Sequence, residues 1–189
     1  MSRDELIDTV DAATPRLGIG QRNRRFAQLI TGHLKRQWFT YILLVACYWL
    51  VTANYRLLPN ASNSLGVSWF VVRLHEPVAR EHFVAFRAPN NGLYPESLWW
   101  VKRVVGVGGD VVTRRDDTYF VNGREMGVAR RSGQTGRAME LLSVPESGRV
   151  LGINELFVMG DHPYSFDSRY AAIGVVDRNA TIGRAHAIY

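Results

Sequence analysis

The sequence predicts a mainly β protein. A partly closed antiparallel β domain over 57–189 follows one N-terminal transmembrane helix over 37–56 and a cytoplasmic segment over 1–36. Three observations carry this. Gln37 to Tyr55 holds no charged side chain over about 19 positions, close to the length that crosses a bilayer as a helix. Beyond Arg56, apolar residues come in short runs broken by Gly, Pro, Asn and Asp, which is the grammar of strands and turns. Asn122-Gly123, the pair that a tight hairpin turn favours, separates two such runs.

The elements follow in chain order. Met1 to Leu17 is mixed, with a break at Thr14-Pro15, and Gly18-Ile19-Gly20 reads as a flexible joint. Arg22, Arg24 and Arg25 lead into Phe26, Ala27, Leu29, Ile30 and Leu34, which have helical spacing, and Lys35-Arg36 follow. In the apolar run, Trp38, Tyr41, Tyr48, Trp49 and Tyr55 include several near its ends, where aromatic belts form. The basic residues before the run predict a cytoplasmic N-terminus and an exported remainder. A membrane partner accounts for part of the net charge of +6, and no nucleic acid is called for. The lone cysteine, Cys47, excludes an internal disulfide and lies in the most apolar stretch.

Strands are predicted at 67–73, 82–87, 98–107, 110–113, 118–121 with its hairpin partner, 156–159 and 181–189. The polar, glycine-containing stretch within 126–140 is expected to be a mobile surface loop. Leu98-Trp99-Trp100 could rest on a bilayer surface.

Three stretches can carry chemistry. In the first, Asn60-Ala61-Ser62-Asn63-Ser64-Leu65-Gly66, serines alternate in a short polar link; a plain turn has the same composition. The second is the strand around Lys102. Only Lys35 and Lys102 are lysines; the other fixed cations are arginines. Arginine keeps its proton at working pH, whereas a desolvated lysine gives it up, so a lysine inside an apolar strand suits a base. Alternatively, Lys102 only reaches from a sheet edge to water. The third, Gly160-Asp161 through Ser165-Phe166-Asp167-Ser168-Arg169-Tyr170, packs polar and aromatic residues into one loop. Such a loop can also serve only its own backbone.

Together these stretches resemble the type I signal peptidases, membrane-bound serine proteases with a Ser–Lys dyad. The likeness is strongest to the branch found with conjugative plasmids, the TraF-type pilin peptidases. Asn60-x-Ser62-x-Ser64 follows the apolar run; Lys102-Arg103-Val104-Val105-Gly106 leads to Gly109-Asp110; the third block is followed by Gly174, Val176 and Ile182-Gly183-Arg184-Ala185. The resemblance implies Ser64 as nucleophile and Lys102 as general base, with an oxyanion hole from the Ser64 amide and the Ser62 hydroxyl. Ser165 would orient the lysine, Asp167 and Arg169 would form a supporting ion pair, and Asp161 would be structural. Trp100, Val101 and Val104 would exclude water from Lys102. Ser68 is a rival nucleophile.

The implied activity is cleavage of signal or leader peptides from exported precursors after small residues of the Ala-x-Ala kind. It needs no cofactor and no metal, and takes place beside the inner membrane on its periplasmic face. In this branch the substrate is a pilin subunit of a conjugation apparatus, and some members join the new ends into a ring. The family's usual prolines are replaced by Gly66 and Gly108, which would loosen the backbone. A catalytically silent, membrane-anchored component of a conjugation or secretion machine is the second reading. A soluble self-cleaving repressor of the LexA type, disfavoured by the apolar run, is the third.

Overall fold

A computed structural model describes residues 19–60, 64–87, 95, 97–133 and 136–188. Ser62 therefore lies outside the described residues. The first element is a 36-residue helix, α1 (Ile19–Asn54), which buries none of its side chains. It includes Ile19 and Gly20, so the expected joint is already helical. Among the described residues, no helix is long and apolar enough to cross a membrane. The span predicted at 37–56 is corrected in its bounds as well: α1 stops at Asn54, and Tyr55 and Arg56 open a strand. The physical reason lies in the sequence, where Gln37, Thr40, Thr52, Asn54 and interspersed tyrosines dilute the aliphatic residues Ile42–Val45 and Leu50-Val51.

Among the described residues eleven strands follow: β1 (Tyr55–Pro59), β2 (Trp69–Leu74), β3 (Phe83–Arg87), β4 (Trp99–Gly106), β5 (Val111–Arg115), β6 (Thr118–Val121), β7 (Arg124–Val128), β8 (Arg149–Val150), β9 (Glu155–Met159), β10 (Val176–Asp177) and β11 (Thr181–Ile188). They form a seven-stranded sheet, β1-β2-β11-β3-β4-β9-β10, and a four-stranded sheet, β7-β6-β5-β8. The pairings are antiparallel throughout. β1, β8 and β10 were not foreseen. β1 pairs with β2 from Tyr55↔Arg73 to Pro59↔Trp69, so Ser64 follows a strand in the chain and not the helix directly.

An irregularity in the β4–β9 pairing falls between Val104 and Gly106, at Val105. The extra residue shifts the register so that Gly106 faces Phe157. Val104 enters one core with Val84, Phe86 and Val158, while its neighbour Val105 points the other way into a second core with Val112, Tyr119 and Phe157. A third core holds Leu65, Phe70, Val72, Ala85 and Ala185. Burying Leu65 there contributes about 2 kcal/mol and fixes the residue beside Ser64.

The hairpin between β6 and β7 turns at Asn122 (φ 50°) and Gly123 (φ 78°), the paired positive angles that an Asn-Gly turn supplies. The Asn122 side chain also accepts from the Val111 amide at 2.8 Å and donates to Asp110 at 2.8 Å. Asp110 in turn accepts from the Val107 amide at 2.6 Å and from Arg80 at 2.6 Å, which closes the Gly-Gly-Asp turn after the lysine strand. The stretch 126–140 begins in β7. It continues through a Ser132↔Ala138 bridge and is tied to Asp117 by Arg131 at 2.7 Å.

The two glycines that replace prolines differ. A Cβ at Gly66 would meet nothing within 4 Å, whereas one at Gly108 would stand 2.8 Å from the Ile153 Cα and 2.9 Å from the Gly152 carbonyl. The loosening expected at Gly108 is thus corrected: close backbone approach requires a glycine there. Gly66→Ala is expected to raise the unfolding free energy by about 0.4–1 kcal/mol. Gly108→Ala is expected to lower it by about 1–3 kcal/mol. Urea denaturation of both variants checks the contrast, and equal effects would contradict it.

Candidate active site

Lys102 stands in the middle of β4 opposite Val84 of β3. Alternation puts it on the same side as Trp100 and Val104, whose neighbours form one core, while Val101 packs against another. Trp100 and Val104, not Val101, therefore line the lysine's side of the strand. Trp100 packs edge-on to Phe166 at 5.9 Å, and the Lys102 ammonium nitrogen stands 5.9 Å from the Trp100 ring centre. The Trp100 ring is thus engaged with the domain's own aromatics.

Only 5% of Lys102 is exposed. Its Nζ donates to Ser165 Oγ at 2.9 Å. Burial pulls its pKa from 10.5 down to about 8; the Arg169 charge acts in the same direction, and the Asp167 charge opposes both. The edge-strand alternative is excluded, because the amine ends on a buried serine hydroxyl.

Ser64 is 8% exposed, and its backbone carbonyl accepts from the Asp161 amide at 2.8 Å and the His162 amide at 3.2 Å. Gly160 is wedged between this peptide and Ser165: a Cβ on it would fall 2.7 Å from Ser165 Cβ and 2.8 Å from the Ser64 carbonyl oxygen. Ser64, Gly160, Ser165 and Lys102 are thus joined through successive contacts. Ser68 is exposed at the mouth of β2 and its carbonyl accepts from the Asn60 amide at 2.9 Å.

The segment that carries Ser64 is clamped by Asn60, whose Nδ2 donates to the carbonyls of Leu65 at 2.9 Å and Val67 at 2.7 Å. This role was not foreseen. An asparagine just before a serine-rich turn is the only signal, and it is a common one.

Asp167 and Arg169 form a fully buried, bidentate pair, with Nε and Nη2 of Arg169 each donating to a separate carboxylate oxygen at 2.8 Å. Asp167 also accepts from the Gly160 amide at 3.1 Å. Arg169 donates to the Ser165 carbonyl at 3.3 Å and to the Val128 carbonyl at 2.8 Å, which ties the loop to β7. Burial alone would lower the Arg169 pKa, but the hydrogen bonds and charge of Asp167 more than offset it, so the guanidinium stays protonated. Asp161 points outward and pairs with Arg103 at 3.0 Å.

A profile of the family described as signal peptidase, peptidase S26, matches residues 32–189, and the chain belongs to that family. The chain is 27% identical over 183 residues to conjugal transfer protein TraF of Agrobacterium tumefaciens (strain 15955), covering 89% of this chain and 97% of that protein. It is 28% identical over 99 residues to signal peptidase I of Bacillus licheniformis, covering 50% of this chain and spanning only 52% of that relative. A solved signal peptidase I from Enterococcus faecalis V583 is 26% identical, with a TM-score of 0.38. That match covers 58% of this chain and 97% of the solved one.

Proposed function

We propose that this chain is a serine endopeptidase that cleaves leader peptides from exported precursors, with Ser64 as nucleophile and Lys102 as base. The observation that carries the proposal is Lys102: a buried lysine whose pKa is pulled down to about 8, held by Ser165 beside the peptide of Ser64. Neutral Lys102 takes the Ser64 proton as Oγ attacks the scissile carbonyl. The C–N bond breaks as Lys102 returns the proton to the departing amine, and Lys102 then activates the water that releases the acyl group. The Ser64 amide and Ser62 hydroxyl would receive the developing oxyanion. Ser165 aims the amine, and the Asp167–Arg169 pair holds Ser165 and Gly160 in place.

Family membership supports precursor proteins as substrates, cut after small residues, and the conjugal-transfer relative supports a pilin precursor. α1 exposes Trp38, Phe39, Ile42, Leu43, Leu44, Val45, Leu50 and Val51, and no acidic residue occurs between 19 and 60. These features support attachment to an anionic membrane with the β domain on the periplasmic side.

The full chain, co-expressed with candidate prepilins, is expected to yield a processed product whose new end is read by mass spectrometry. Ser64→Ala is expected to abolish that product, and its persistence would overturn the assignment. Membrane fractions washed in low-salt buffer at neutral pH are expected to retain the chain; full release would refute membrane attachment.

A further inference from the structure

Beside the candidate dyad lies a cavity of about 480 Å³, within the roughly 300–1,000 Å³ range of ligand pockets. Met126 and Met159 supply apolar lining, and Gly160 to Pro163 line it as well. Gly160 lines this cavity and also packs against Ser64 and Ser165, so the cavity adjoins the candidate site through that residue.

Two features of β7 keep it open. The β6–β7 pairing is irregular between Tyr119 and Phe120, which leaves Met126 outside the regular register. Gly127, at φ 131°, has no side chain; a Cβ there would lie 3.6 Å from the Arg169 guanidinium and 3.9 Å from the Met159 methyl. Thioethers are polarisable and adapt to bulky apolar groups, aromatic ones included.

The charges around the cavity are unequal. Arg169 is neutralised by Asp167, and Asp161 by Arg103. Arg130 instead lies over the Tyr164 ring at 4.2 Å, and among the described residues it forms no ion pair. The cavity therefore combines two thioethers with an exposed cation.

We infer that this cavity is a binding site for the precursor segment that follows the cut, taking a bulky apolar side chain between Met126 and Met159 and a neighbouring carboxylate at Arg130. The inference rests on the peptidase reading above. Small side chains next to the cut would leave such a volume empty, whereas a bulky side chain after the cut would match it. The site is then asymmetric: small-residue selection before the cut and bulky-residue selection after it.

The test uses the full chain in detergent and synthetic peptides that share one small-residue stretch before the cut. Phe or Ala is placed at each of the first three positions after it, with Asp or Lys alongside. Cleavage is followed by mass spectrometry, and binding to Ser64→Ala by fluorescence anisotropy. The wild type is expected to favour one Phe peptide over its Ala counterpart by about tenfold or more in kcat/KM. Met126→Trp, which fills the cavity, is expected to bring that ratio near unity. Arg130→Glu, on an exposed side chain, is expected to reverse the preference for Asp over Lys. The inference fails if both variants keep the wild-type preferences, or if the wild type discriminates only before the cut. If no peptide is cleaved while Ser64→Ala binds them with the stated preferences, the peptidase reading fails and the binding site stands.

Discussion

Substituting Lys102 by arginine is expected to lower precursor cleavage by about 10²–10⁴-fold, the scale of a lost general base. Arginine keeps charge and length but not the ability to shed a proton. With Lys102 as the proposed base the neutral amine is the working form, so kcat/KM of the parent is expected to rise with pH and level off above a midpoint of about 8. At pH 7 about one molecule in ten carries the neutral base. Stability follows the same group. Its folded pKa, about 8, lies below its ordinary 10.5, so the unfolded chain holds the extra proton between those values. The unfolding free energy therefore rises with pH across that window, by roughly 3 kcal/mol in full, and this group adds no slope below it. Urea denaturation at pH 7.5 and 10 measures the rise, and Lys102→Met is expected to remove it. An active arginine variant would end the assignment of Lys102 as base.

Asp167→Ala is expected to cost about 3–5 kcal/mol, because it strands the Arg169 charge at a site with 3% exposure. For a chain of this size the Tm would fall by roughly 10 °C. The same substitution frees the Gly160 amide and removes the negative charge that holds the Lys102 pKa up. The midpoint of the pH–activity curve is therefore expected to move below that of the parent. Replacing both partners by apolar residues, Asp167→Leu with Arg169→Met, is expected to recover much of the stability without restoring activity. Differential scanning calorimetry and a pH–rate profile separate the two effects. A single variant as stable as the parent would mean that the pair is not the support of this loop.

How much of this could be read in advance depended on where each constraint originates. β2 to β6, β9 and β11 carry their own alternation or turn residues, so local pattern revealed them. β1 did not: Tyr55–Pro59 continues an apolar run and is almost wholly exposed, so nothing in its pattern marks a strand until β2 is alongside. β8 and β10 are two residues each and depend on their partners. Lys102 was legible because it is an odd choice among arginines. Ser165, Asp167 and Arg169 were legible only through resemblance. The Arg80–Asp110 pair bridges 30 residues and Gly108 is confined by the backbone of Gly152-Ile153, so neither role is visible from the residues beside them.

The distance along the chain between the parts of the candidate site has a consequence for biosynthesis. Lys102 and Ser165 are 63 residues apart, and the Ser64 carbonyl waits for the amides of Asp161 and His162. Chains emerge from the ribosome N-terminus first, and contacts between remote segments close late. Until the loop ending at Arg169 has emerged, Lys102 has no Ser165 to bond and Ser64 has no clamp on its carbonyl. The proposed dyad is therefore expected to be assembled only in the last third of synthesis, so that a nascent polypeptide lacking that loop would not cleave precursors.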